Sequence, residues 1–347
     1  MYRFIRIIST ALAMSVYTCV SPYDMRFTNS LRVLTVEGTI TDEAKEQKIE
    51  IAETAFVNDA LYRTPINDLT VHLWVNGKED IQLLHKEKGW YCLPTGFRAK
   101  VGNRYRLIFT KPDGTRYESE EELMQAVPDI DTVYNEFVTD GFLKGEKRYP
   151  SHSIYLNYQD TPNEKNYYVW SWTLWERQNV CISTDYYDLY CNQPCWEILR
   201  SETIDIFSDV FTDGKQVVGK KVADLPYYQS TGALLEIRQQ RISENMYQFL
   251  KLLRNQNQGT GSLVDTPPEA LIGNVRNVSN PSEEVSGAFM VASTKTVTYW
   301  LNRENALGKA KPVGLLWRAP VVSPVSVTVP CIASVNRTPF QPEGWPP

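Results

Sequence analysis

Apolar and polar residues alternate in short runs along most of this chain, and a period of two predicts strands. Leu31-Arg-Val-Leu-Thr-Val-Glu-Gly-Thr-Ile40 alternates and is closed by Thr41-Asp42, and Ile49-Glu-Ile51 repeats the pattern. Leu69-Thr-Val-His-Leu-Trp-Val75 runs into Asn76-Gly77, a dipeptide that accepts positive φ and so turns a hairpin. Gly89-Trp-Tyr-Cys-Leu93, Val101-Gly-Asn-Arg-Tyr-Arg-Leu-Ile-Phe109, a turn at Pro112-Asp113-Gly114 and then Tyr117 continue the series. Short strands at this spacing, without helical periodicity, predict an Ig-like β-sandwich over residues 31–126.

Val127-Pro-Asp-Ile-Asp131 interrupts the pattern and reads as a linker, leaving 132–347 as a larger β-rich domain. Its clearest strand is Tyr167-Tyr-Val-Trp-Ser-Trp-Thr-Leu-Trp175. Both parities carry apolar bulk there, as in a strand covered on both faces. Further strands are expected over 153–158, 201–207, 233–239, 285–293 and 296–301. One segment, near 243–256, reads as helix. Ser243 can cap it, Glu244 suits the first turn, and Met246, Phe249, Leu250 and Leu253 form the apolar stripe. The fold class expected is therefore mainly β with one helix.

The N-terminus follows another logic. Arg3 and Arg6 precede a mostly apolar stretch over 7–16, which is the layout of a secretory signal and too short to span a bilayer. Cys19 follows Val16-Tyr17-Thr18. A cysteine at the cleavage point reads as a lipoprotein box, in which 1–18 is removed, the Cys19 thiol is acylated and 19–30 forms a tether. Thr18 is bulkier than the residue usually found there, and an ordinary signal with an incidental cysteine is the alternative. The net charge of −5 and the lack of a basic run exclude nucleic acid as a partner class.

Five cysteines remain after Cys19. In an exported chain disulfides are the default. The expected bridges lie among Cys181, Cys191 and Cys195, or join Cys195 to Cys331, and spacing does not choose between them. Cys92, inside a strand, is the candidate free thiol. Cys191-Asn-Gln-Pro-Cys195 looks like half a zinc knuckle, but His72, His85 and His152 do not supply the other ligands at suitable spacing. No metal or cofactor is expected. No phosphate loop, Gly-x-Ser-x-Gly elbow or His-Glu-x-x-His helix is present. The acid pairs Asp129/Asp131 and Asp205/Asp209, and the Glu118-to-Glu122 run, read most simply as solvated. Tyr186, Tyr187 and Tyr190 in a cysteine-flanked loop, with Tyr227 and Tyr228 in another, are the candidate partner contacts, since tyrosine offers large area at low entropy cost.

Several segments recur together in one family. They are Leu34-Thr-Val-Glu-Gly-Thr-Ile-Thr-Asp42, Gly89-Trp-Tyr, Pro128-Asp-Ile-Asp131, Asp160 with Asn166-Tyr-Tyr, and Phe207-Ser-Asp-Val-Phe with Asp213-Gly. Ile242-Ser, Tyr247-Gln-Phe, Gly273-Asn-Val and Gly287-Ala-Phe follow in order. In this order the set resembles the Bacteroidota outer-membrane lipoproteins called domain of unknown function 4249, and the first domain is also similar to carboxypeptidase-regulatory-like sandwiches. Only Cys331 stands near the end, where the family often has paired cysteines. The resemblance implies a lipid-anchored outer-membrane protein at the cell surface, often encoded beside a TonB-dependent receptor, with no catalytic residues assigned. The expected role is a non-enzymatic accessory or ligand-capture partner of such a transporter. A structural adhesin or cell-envelope assembly factor is the alternative.

Overall fold

In a computed structural model the protein is described over residues 32–57, 60–257, 271–318, 321 and 327–346. The signal segment, Cys19 and the tether 19–30 lie outside the described residues. The first part of the chain forms β1 (Arg32–Thr41), β2 (Lys48–Val57), β3 (Ala60–Pro65), β4 (Thr70–Val75), β5 (Glu79–His85), β6 (Trp90–Cys92), β7 (Arg104–Thr110), β8 (Arg116–Ser119) and β9 (Glu122–Leu123). Then come β10 (Ile130–Lys144), β11 (Lys147–Gln159), β12 (Tyr167–Arg177), β13 (Val180–Ser183), β14 (Asp188–Cys191), β15 (Trp196–Arg200), β16 (Asp205–Ser208), β17 (Gln216–Pro226) and β18 (Ala233–Ile242). The helix α1 (Glu244–Asn257) follows, then β19 (Val275–Asn277), β20 (Val285–Leu301), a 3-10 turn at Glu304–Ala306, β21 (Thr328–Val329) and β22 (Arg337–Thr338). The molecule is mainly β with one helix among the described residues.

Alternation places the first core. In β4, Val71, Leu73 and Val75 point inward while Thr70, His72 and Trp74 point outward. The β4–β5 hairpin turns at Asn76 and Gly77, whose φ angles of 53° and 65° are those the dipeptide favours. Val71 and Leu73 join Val36, Ile40, Ile49, Ile51, Leu107 and Phe109 in one cluster. Each such side chain stabilises the fold by about 1.5–3 kcal/mol relative to exposure. Val275, Val285, Phe289 and Val291 belong to the same cluster, so the first body is completed by strands from far along the chain. β19 pairs with β8, and β20 runs parallel to β1 from Leu34↔Val285 to Thr41↔Ala292.

The second core begins within the expected linker: Met124 is in the first cluster and Val127, the linker's first residue, is in the second, while Ile130 and Asp131 already belong to β10. β12 lies between layers. Its even face (Tyr168, Trp170, Leu174) enters the second core, and its odd face (Tyr167, Val169) packs under Met246, Tyr247, Phe249 and Leu250 of α1. Covering on both faces is what its aromatic sequence requires.

β20 joins the two bodies. The expected strands over 285–293 and 296–301 are one strand of 17 residues, parallel to β1 as far as Ala292 and antiparallel to β18 from Ser293. The polar residues at the change of partner have work to do there. Asp42, where β1 stops, accepts the Thr294 N–H at 2.8 Å. Buried Ser293, Arg241 and Gln239 donate to the linker carbonyls of Gln125, Ala126 and Pro128. Backbone groups buried between the bodies are thereby satisfied, as burial demands.

Two polar features are sealed in the second body. Glu176 and Arg303, both fully buried, form an ion pair, and Arg303 Nη1 also donates to the carbonyls of Gln229 and Thr231. His152 is fully buried on β11, with Nδ1 3.2 Å from Asn135 Oδ1 and its ring against Phe137 and Tyr227.

Two predictions follow from this packing. Gly287 has φ +81°, and a Cβ there would lie 2.2 Å from the Val36 carbonyl oxygen, whereas a Cβ on Gly77 (φ +65°) meets nothing within 4 Å. Gly77→Ala should cost about 1–2 kcal/mol, the left-handed penalty alone, and Gly287→Ala about 3 kcal/mol or more, as urea unfolding would measure. Burial, then the Arg303 charge, lowers the His152 imidazole from 6.5 to about 4. The unfolded chain therefore binds this proton more tightly, and the stability the group contributes is complete above about pH 6.5 and lost as pH falls toward 4. Melting temperatures across that window should fall in the wild type and fall less steeply in His152→Gln.

Candidate functional site

Sequence reasoning pointed to the cysteine-flanked tyrosine loop, and the structure builds it from the hairpin of β13 and β14. β21 adds a parallel strand through Tyr190↔Thr328 and Cys191↔Val329. Two disulfides clamp this unit. Cys181–Cys191 closes the hairpin and Cys195–Cys331 ties it to the C-terminal segment. Cys92 is the free, buried cysteine among the described residues.

The loop itself is ordered by local chemistry. The Thr184 N–H donates to the Tyr187 carbonyl at 2.9 Å, and Thr184 Oγ1 accepts from the Tyr186 and Tyr187 N–H groups. Beneath it, buried Asp188 accepts from Ser183 Oγ at 2.7 Å, from Arg318 Nη2 at 2.6 Å and from the Val321 N–H at 3.3 Å. The Ser183 hydrogen bond, followed by those of Val321 and Arg318, holds the Asp188 carboxyl below the usual carboxylate range. A loop fixed in this way presents its aromatic rings with little ordering entropy left to lose.

Tyr186 is 85% exposed, and Tyr187, Tyr190 and Ile182 are exposed beside it. The tail held by Cys331 adds exposed Ile332, Val335 and Phe340. Arg337 anchors that tail, with Nη1 donating to the Cys181 carbonyl and Nε to Glu197. The clamped unit and the tail bonded to it thus expose several large apolar and aromatic side chains, the kind of surface that makes contacts.

The second tyrosine pair requires a correction. Tyr227 is 1% exposed, with its ring against Phe137 and His152, and Tyr228 packs edge-on to Trp317. Pro226 ends β17 there and turns both rings inward onto the second body. Neither forms an exposed contact loop.

The acids divide by environment. Asp129 pairs with Lys295 and Asp205 with Lys220, both at 2.7 Å. His72 bonds Asp80 at 2.6 Å on the outer face of the first sheet, and His85 bonds Asn67. Asp160, Asp209 and Asp213 bring carboxylate oxygens within 4.8 Å of one another, a donor set that suits a hard cation. Hydrogen bonds already account for much of it. Asp160 accepts from Tyr168 Oη at 2.6 Å and the Gly214 N–H at 3.0 Å, and Asn166 Nδ2 donates to Asp209 at 2.8 Å. The trio locks the loops after β11 and β16 together. The Glu118-to-Glu122 run is solvated only in part, because Glu122 is buried.

The family model for a domain of unknown function (DUF4249) matches residues 20–298. The chain belongs to this family. The DUF4249 match spans both bodies and ends within β20, so Cys331 and its tail lie beyond it. No curated protein matches the chain. Among the described residues of this DUF4249 protein, no helix is long and apolar enough to cross a membrane.

The clamps differ in reach, with sequence separations of 10 for Cys181–Cys191 and 136 for Cys195–Cys331. Loop-closure entropy then gives about 3 kcal/mol for the first and about 5 kcal/mol for the second. Replacing Cys195 and Cys331 by alanine should therefore lower the urea midpoint more than replacing Cys181 and Cys191.

Proposed function

We propose that this DUF4249 protein is a non-enzymatic lipoprotein acylated at Cys19, held at the outer membrane and exposed at the cell surface. There it serves as an accessory or ligand-capture partner of a TonB-dependent transporter. The observation that carries the reading is the disulfide-clamped unit with Tyr186, Tyr187 and Tyr190 displayed on a pre-ordered loop. Two disulfides in one small unit suit an oxidising compartment beyond the cytoplasm. A binding role is favoured over a catalytic one because one acid of each pair, Asp129 and Asp205, is engaged by a lysine, and the histidines are bonded on separate elements. A β-rich first body, which we read as Ig-like, suits a domain that holds the contact unit away from the membrane.

The unbroken β20 gives some support to the second reading, a structural adhesin or envelope assembly factor, because it stiffens the junction of the two bodies. A deletion strain separates the two. Impaired uptake of one nutrient supports the transporter partner, and impaired attachment or envelope integrity supports the adhesin.

Affinity purification from detergent-solubilised outer membranes at native expression should recover a TonB-dependent receptor. The triple variant Tyr186→Ser, Tyr187→Ser, Tyr190→Ser should reduce that recovery tenfold or more while leaving the melting temperature within a few degrees. Intact mass spectrometry should find the mature chain beginning at Cys19 with acyl mass on its sulfur. Recovery without any receptor would count against the transporter reading, and an unacylated Cys19 against the anchor.

A further inference from the structure

Three carboxylates meet where the loop after β11 faces the turn after β16. Asp160, Asp209 and Asp213 bring one oxygen each within 4.8 Å of one another. Asp160 and Asp209 are each 1% exposed, and Asp213 opens to solvent. Asp205 and Asp188, also shielded from water, have Lys220 and Arg318 as partners. No ion pair neutralises any member of the trio among the described residues. Burial pushes the Asp160 carboxyl upward, and the Asp209 charge adds to the shift.

Hydrogen bonds hold the trio in place without filling it. Asp160 Oδ1 accepts from Tyr168 Oη at 2.6 Å, and Asp160 Oδ2 from the Gly214 N–H at 3.0 Å. Asp209 Oδ1 and both oxygens of Asp213 have no hydrogen-bond donor among the described residues. A buried group outside the trio points the same way. Asn166 is fully buried, yet its Oδ1 has no partner. Its Nδ2 reaches Asp209 Oδ2 at 2.8 Å and Asp160 Oδ2 at 3.4 Å, so the amide sits against the trio. The carbonyls of Thr161 and Glu164 complete a ring of oxygens round that nitrogen, at 2.7 and 3.3 Å. A half-turn about χ2 exchanges the two ends of the amide. It puts Oδ1 into that oxygen-lined position, which is favourable only around a cation. The Tyr158 hydroxyl, buried and without a partner, is pushed upward by burial and then by the charges of Asp160 and Asp209.

All these donors are oxygen, which suits a hard cation rather than zinc or copper. Calcium–oxygen bonds of about 2.3–2.6 Å place opposite ligands about 5 Å apart, so oxygens within 4.8 Å of one another can share one ion. Magnesium demands closer, octahedral donors and keeps several of its waters, whereas calcium accepts an irregular set of carboxylate and amide oxygens. We propose that this site binds one calcium ion through Asp160, Asp209, Asp213 and Asn166 Oδ1, with water completing the shell on the exposed Asp213 side. The ion enters from that side and ties Asp209 to Asp213 across the exposed residues Val210 and Phe211. Its occupancy is read on purified protein, so the site stands or falls independently of the transporter partner.

The test uses the full mature chain in detergent, stripped with EDTA, freed of chelator and titrated with Tb³⁺, a luminescent ion of calcium's size. Exciting the tyrosines should give saturable terbium emission, because the Tyr168 hydroxyl is bonded to Asp160. Calcium should displace the terbium with a dissociation constant below about 1 mM, and magnesium should need at least tenfold higher concentrations. Asp213→Asn changes an exposed carboxylate that takes part in no hydrogen bond. It should weaken calcium binding tenfold or more while leaving the calcium-free melting temperature within a few degrees, and Asp209→Asn should weaken calcium binding as much. The proposal is overturned if neither terbium nor calcium binds saturably, if magnesium competes as strongly as calcium, or if Asp213→Asn leaves the affinity unchanged.

Discussion

The architecture depends on one strand that changes partners. β20 completes the first body by running parallel to β1, then completes the second by running antiparallel to β18. Parallel pairing is the slightly weaker of the two ladders, and here it is reinforced by side chains. Asp42 takes the N–H of Thr294, and Ser293, Arg241 and Gln239 satisfy the linker carbonyls. Three polar residues buried at one junction would be costly without those partners. With them, the junction is satisfied in one geometry that both bodies share.

The second body shows how burial of charge is managed when a β-domain has few histidines and many aromatics. Glu176 and Arg303 neutralise each other completely out of water, and neighbouring carbonyls take up further guanidinium donors. Such a pair gives little net stability compared with apolar packing, yet removing one member leaves an uncompensated charge. His152 escapes the same difficulty by staying neutral. The tyrosine loop is handled differently again, since Asp188 is buried beneath it while the rings above remain in solvent.

Much of the fold could be read from the chain, and the failures have physical causes. The hairpin at Asn76-Gly77, the two-faced β12 and helix α1 were legible because turn chemistry, parity and capping are local signals. β10 and β17 were not. β10 is half-exposed along nearly its whole length, so its residues show little contrast between faces, and Gly219, Lys220 and Lys221 interrupt the apolar run of β17. β20 looked like two strands because Ser293-Thr294-Lys295 is polar at the change of partners, where linker carbonyls and Asp42 need hydrogen-bonding groups. Of the candidate site, the loop around Tyr186 was visible from its flanking cysteines. The burial of Tyr227 depends on contacts with Phe137 and His152 that only the tertiary fold supplies, and the exposed tail residues gained meaning only once Cys331 was bonded to Cys195.

The parallel ladder between residues 34–41 and 285–292 also governs the order in which the molecule can assemble. A chain appearing from its N-terminus displays β1 and β2 long before the strand that must lie against β1 exists. During that interval one edge of β1 has open N–H and C=O groups, which invite pairing with other chains. Closure then waits on contacts of high sequence separation, which form slowly. Completion of both bodies therefore waits on β20, and the nascent edge of β1 is the surface that a chaperone would need to shield.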